Sequence, residues 1–199
     1  AKQCYYLPLA AEVKEKNLVS LDVNEDICDI NFTGSLYTEW PEMNHLGRLP
    51  GITLGYLDGI LQAQEMIYGY PFLQNLLTPA ILEEFINQIP LSEQIPELKS
   101  LEAFYAEKYL YRILNRNERI HLLQKISALQ NRAKISLYIP EQTNPIGLTN
   151  LGCVSNRENL LKIYKHSKIT LNITNRTTYA GIPQKVFDAM SMGSLVFSN

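Results

Sequence analysis

The spacing of apolar positions changes twice along the chain. Residues 1–49 carry short apolar or alternating runs of the kind strands use. "YYLPLAA" is one such run, and "DINFTGSLY" is a second that breaks at Gly34-Ser35. Acidic residues Asp22, Glu25, Asp26 and Asp29 lead into the second run and read as a solvated loop.

From residue 50 to 132 the period becomes helical. In "TLGYLDGILQAQEMIYG" the residues Leu54, Leu57, Ile60, Leu61, Ile67 and Tyr68 fall along one face, and Gly69 ends the pattern. "TPAILEEFINQIP" offers Thr78 as N-cap, Pro79 at the first helical position and Pro90 just beyond the end. "SLEAFYAEKYLYRILNRNERIHLLQKISALQNRA" predicts two helices, joined or kinked near Asn115–Asn117, with Ile120, Leu123, Ile126 and Leu129 on one stripe of the second. A helical subdomain of about four helices is expected here.

Residues 133–199 alternate strand and helix. "KISLYI", "LTNLGCV", "ITLNIT" and "SLVFS" read as strands, the last of them buried. In "SNRENLLKIYKHS" Ser155 stands three residues before Glu158, which predicts a capping box, and Lys162, Lys165 and Lys168 gather toward the C-terminal end. "PQKVFDAMSM" predicts a helix burying Val186, Phe187 and Met190. This alternation implies a parallel sheet covered on both sides. The expected fold is therefore α/β: a Rossmann-like parallel sheet (1–49 and 133–199) with helices on both faces, carrying an all-helical insertion (50–132). Both ends look cut, because the chain enters on an extended apolar segment and stops on a strand. A fragment of a longer, two-domain protein is expected.

Composition narrows the classes. The formal net charge is −2, so no strongly basic surface and no nucleic-acid partner is implied. No apolar run is long enough to span a bilayer, and the first residues lack a signal-peptide pattern. Cys4, Cys28 and Cys153 are odd in number and widely spaced, which fits reduced core thiols in a cytoplasmic protein better than a disulfide framework or a zinc site. His45, His121 and His166 form no ligand-spaced set, so no metal is expected. Asn31, Asn172 and Asn175 each begin a glycosylation pattern, the first two inside predicted buried strands. Trp40 and the tyrosines of the insertion read as packing residues.

Ligands of open parallel sheets bind beyond the carboxyl ends of the strands. Three loops qualify: Gly34–Tyr37, Pro140–Asn144 and Asn175–Pro183. The third carries Arg176 and Gly181 and leads directly into a helix. A glycine there lets a ligand approach the backbone, the helix N–H groups suit a phosphate, and Arg176 can add a charge-assisted contact. Asp188, in the first two turns, can accept hydrogen bonds from a ribose diol, or can be an acid favoured by the helix dipole or a satisfied polar residue at a helix–sheet boundary. Gly34-Ser35 reads equally as a phosphate-approach turn or a plain strand end. Lys185 reads as a solvated helix residue. The dinucleotide fingerprint, the phosphate loop and the nucleophile elbow are all absent.

"FTGSLY", "GYLDGILQAQEMIYGYPFL" and "YKHSKITLNITNRTTYAGIPQKVFDAMSMGSLVFSN" together resemble the spore-maturation (CgeB-like) glycosyltransferases over nearly the whole chain. These are similar to the larger GT-B group, which sets two Rossmann-like domains face to face. The resemblance implies a C-terminal donor-binding domain, a nucleotide-activated sugar as donor, and metal-independent transfer with no cofactor. The "FDAM" helix matches one that begins Glu-Ala-Met in related enzymes and places Asp188 on the donor ribose. A second family glutamate, eight positions earlier, is Ala180 here, so Arg176 would take part of that charge work. Val154 and Ser155 match the nucleobase region. Gly34, Ser35, Gly181 and Arg176 would hold the phosphates. The acceptor (glycan, protein or lipid-linked) and any general base would lie on a missing N-terminal domain, and no catalytic residue is named in this chain. Two alternatives remain: a non-catalytic Rossmann-like interaction module, and another nucleotide-sugar enzyme such as an epimerase, which needs a cleft carboxylate or histidine.

Overall fold

The computed structural model describes residues 10, 28–41, 43–89, 100–178 and 181–199. The strand expected in "YYLPLAA" (Ala10 apart), the acidic residues Asp22, Glu25 and Asp26, and Cys4, Pro90 and Ala180 lie outside the described residues. The chain divides into two compact units: Leu36–His121 with Asn175–Tyr179, and Ala1–Ser35 with Leu122–Thr174 and Ala180–Asn199.

The first unit is helical. It contains α1 (Met43–Leu46), α2 (Gly51–Met66), a 3-10 turn (Leu73–Leu76), α3 (Pro79–Gln88), α4 (Leu101–Tyr105), a π-helical turn (Ala106–Leu110) and α5 (Tyr111–Ser127). The last residues of α5, from Leu122, count with the other unit. The helical unit takes in residues 36–49 because Trp40, Met43, Leu46 and Leu49 pack into its core. Aromatic rings fill that core: Trp40 lies 5.4 Å from Tyr109 and Phe85 lies 5.1 Å from Tyr105, centroid to centroid. These tyrosines and Trp40 are packing residues, as expected.

The buried face of α2 is Thr53, Leu57, Ile60, Leu61 and Gln64. Leu54, Ile67 and Tyr68, expected on that face, are exposed. For Ile67 and Tyr68 the reason is Gln64, which turns the chain at the helix end. Its amide donates to the carbonyls of Ile67 (3.0 Å) and Tyr70 (3.1 Å), and its Oε1 accepts from Phe72 N (2.8 Å). In α3 the expected N-terminus holds: Thr78 Oγ1 accepts from Ile81 N and Pro79 is the first helical residue. The kink expected near Asn115–Asn117 is absent. There α5 is continuous, with Asn115 buried and bonded to Arg176 N (2.8 Å), and the irregularity falls instead at the π turn. Along α5, Leu123 is fully buried, but Leu129 is exposed and lies past the helix end.

The second unit is an all-parallel five-stranded sheet in the order β3-β2-β1-β4-β5, flanked by helices. The strands are β1 (Cys28–Thr33), β2 (Ile135–Tyr138), β3 (Thr149–Asn150), β4 (Ser167–Asn172) and β5 (Leu195–Ser198), with α6 (Arg157–Lys165) before β4 and α7 (Gln184–Ser191) after it. This is the Rossmann-like α/β architecture expected. Central β1 is buried along almost its whole length, as a strand covered on both faces must be. Phe32 pairs in register with Leu137 and Leu171. On alternate positions the sheet carries a buried polar seam: Asn31 Nδ2 donates to Thr170 Oγ1 (2.7 Å), and Thr170 Oγ1 lies 2.8 Å from Ser194 Oγ.

Several local expectations change. The N-cap of α6 is Asn156, whose side chain accepts from Asn159 N (2.8 Å), so Ser155 and Glu158 form no capping box. Lys168 lies in β4 and pairs with Asp29 (2.5 Å). The buried residues of α7 are Asp188 and Ala189, while Met190 is 62 % exposed. That face is set by Leu161, Tyr164, Ala189 and Met192, which pack together between α6 and α7. At the sheet edge β5 leaves Leu195 and Phe197 exposed, so it is not a buried strand. Cys28 is buried as expected, but Cys153 is exposed.

Candidate functional site

With β1 between β2 and β4, successive connections leave the sheet in opposite directions. The chain passes from β1 to β2 on one side and from β4 to β5 on the other. The carboxyl ends of β1 and β4 thus form the topological switch point, where open α/β sheets hold their ligands.

At the end of β1, Gly34 has φ +149°. A Cβ built there would stand 3.7 Å from Lys185 Nζ and 3.5 Å from the Phe32 ring. Lys185 Nζ donates to the Thr33 carbonyl (3.1 Å) and lies 5.6 Å from the centre of the Phe32 ring. Thr33 Oγ1 is 3.1 Å from the Tyr164 hydroxyl. Tyr164 is fully buried, and burial pushes its phenol above the ordinary tyrosine range. The Ser35 hydroxyl donates to Oε1 of Glu141, a buried residue of the loop after β2. Asn150 holds that loop by donating to the carbonyls of Ile139 and Glu141. The end of β1 therefore has a cation on one side and a carboxylate on the other.

Asp188 is buried. Arg157 NH2 donates to its Oδ1 (3.1 Å) and NH1 to its Oδ2 (3.2 Å), and Gln184 Nε2 donates to Oδ1 (2.9 Å). This is a fork-to-fork pair, the most directional ion pair available to a carboxylate. The α7 helix itself begins at Pro183 without a side-chain cap, just after Gly181 at φ +89°. Val154 is half-buried and Ser155 exposed, in the segment between β3 and α6.

Arg176 belongs to the helical unit, so the expected set of Arg176, Gly181 and Asp188 is divided between the two units. Its Nε donates to Glu118 Oε2 (2.9 Å), NH2 to the Glu65 carbonyl (3.0 Å) and NH1 to the Ile67 carbonyl (3.2 Å). The guanidinium also lies 3.4 Å from the centre of the Tyr68 ring, and the Tyr68 hydroxyl donates to the other Glu118 oxygen. Among the described residues, no group of three or more His, Cys, Asp and Glu side chains is placed to hold a metal ion. No described helix is long and apolar enough to cross a membrane.

Sequence reasoning passed over Lys185, Arg157 and Glu141 as individual site residues. A signal existed for the first two. Arg157 is the first residue of α6 and Lys185 the second of α7, both in a first turn where the helix dipole disfavours a cation. Glu141 had no such marker, because its partner Ser35 lies far away in sequence. No family model, curated protein or solved structure matches the chain.

Proposed function

We propose that this chain is the donor-binding domain of a glycosyltransferase, holding a nucleotide-activated sugar at the carboxyl ends of β1 and β4 for metal-independent transfer. The observation that carries the reading is Lys185 standing over the Gly34 turn at the switch point of a parallel sheet. The sequence resemblance to CgeB-like glycosyltransferases supports the same class.

In this reading the departing nucleoside diphosphate gathers negative charge as the glycosidic bond breaks. Lys185 and the backbone N–H groups at the start of α7 meet that charge with donors already in place, while the Gly34 N–H is held by the Tyr138 carbonyl (3.2 Å). Lys185 takes the part expected of Arg176. The acceptor, whether glycan, protein or lipid-linked, and the base that activates it belong to a further domain, and the activity to the cytoplasm. Titration calorimetry with UDP, GDP and ADP against the matching nucleosides tests the reading. A diphosphate that binds at least about tenfold tighter than its nucleoside supports it; equal or undetectable binding of all of them contradicts it.

A second reading, a non-catalytic Rossmann-like module, draws on the fact that Arg176 and Asp188 both already have protein partners. It predicts no nucleotide binding in the same titration.

A further inference from the structure

We infer that Arg157 is a second cation of the anion site, and that Asp188 is the residue that positions it rather than the one that grips a ribose. The inference rests on the donor-site reading above and deepens it.

Burial decides the roles. The Asp188 side chain is 4 % exposed and already accepts three hydrogen bonds, two from Arg157 and one from Gln184. A diol would have to displace one of these. The Arg157 side chain is 46 % exposed. The buried partner is the carboxylate, and the side chain that reaches solvent is the arginine. Planar, bidentate attachment fixes the plane of that guanidinium, which is the arrangement that makes arginine effective toward phosphate oxygens.

Lys185 and Arg157 are linked through Asp188 and through the helices that carry them. Asp188 and Lys185 are three residues apart on α7, so they are neighbours on the helix surface. Arg157 and Tyr164 are seven residues apart on α6, two turns along the same face. Tyr164 and Lys185 both bond to Thr33, one to its hydroxyl and the other to its carbonyl. Two helices that both reach the end of β1, α7 through Lys185 and α6 through Tyr164, thus each carry a cation in the first turn, against the helix dipole. Such a placement disfavours the empty protein slightly and is relieved when an anion arrives. The ligand chemistry is a diphosphate, whether free or within a nucleotide.

The test compares the full chain with Arg157→Gln and with the double variant Arg157→Gln/Asp188→Asn. The double variant replaces the ion pair by two amides of similar shape, so no buried charge is left unpaired if the single variant fails to fold. The probes are UDP and inorganic pyrophosphate. A folded double variant that binds UDP about 10–100-fold more weakly, with uridine binding unchanged, is expected. Unchanged UDP affinity in the folded double variant overturns the role of Arg157 while leaving the donor site in place. If the unaltered chain binds no nucleotide, the donor-site reading fails by itself. Pyrophosphate then decides: binding lost in the double variant supports the Arg157 anion seat, and no binding by the unaltered chain overturns it.

Discussion

Arg176 and Glu118 form a nearly buried ion pair, with Nε 2.9 Å from Oε2 and side chains 10 % and 3 % exposed. Arg176 also donates to two carbonyls, of Glu65 and Ile67, so one side chain ties the 175–178 segment into the helical unit. Removing the arginine leaves Glu118 buried without its charge partner. Arg176→Ala is therefore expected to destabilise the helical unit by about 3–5 kcal/mol, measured by urea unfolding. A variant of unchanged stability that loses only nucleotide affinity would restore Arg176 as a phosphate ligand.

Gly34 is expected to resist substitution through its backbone. The space for a methyl group is ordinary, 3.5 Å to Phe32 and 3.7 Å to Lys185, but φ is +149°. Gly34→Ala should cost about 1–3 kcal/mol of strain, seen as a lowered melting temperature. Gly55, inside α2 with nothing within 4 Å of an added Cβ, should behave oppositely. Gly55→Ala should stabilise by about 0.5–1 kcal/mol. Equal effects at the two positions would contradict the assignment of strain to Gly34.

Tyr164 predicts an alkaline limit to stability. Burial raises its phenol pKa in the folded state, with the nearby Asp188 charge adding to the rise. Its contribution is fully present below the unfolded value of about 10 and is lost as pH rises through the higher folded value. Tyr164→Phe removes the hydroxyl that pairs with Thr33, so it should cost about 1 kcal/mol at neutral pH. The same change should flatten the loss of stability above about pH 10. Denaturation midpoints across that range check both parts, and an unchanged alkaline slope would be the contrary result.

The fold was legible where period and chain order act locally. "DINFTGSLY", "KISLYI" and "ITLNIT" read as strands, and they mark three adjacent parallel strands, Cys28–Thr33, Ile135–Tyr138 and Ser167–Asn172. Thr78-Pro79 announced a helix start by local chemistry alone. What the sequence hid depends on partners far along the chain. Asn115 looked like a kink and is instead a buried acceptor for Arg176. For Asp188 the sequence left open a ribose ligand or a satisfied polar residue, and its partner was hidden because Arg157 lies on another helix. Gln64 broke an apolar stripe because three backbone groups after the helix needed a partner. The turn at Gly34 was legible from its glycine, whereas the place of Lys185 was not, because a lysine in a first turn looks solvated until the end of β1 is brought beside it.

The most direct measurement is the calorimetric affinity of the chain for nucleoside diphosphates with Lys185 intact, changed to arginine and changed to alanine. Measurable binding is expected, largely retained by Lys185→Arg and weakened about 10–100-fold by Lys185→Ala. Identical affinities in all three proteins, or no binding in any, would contradict that expectation.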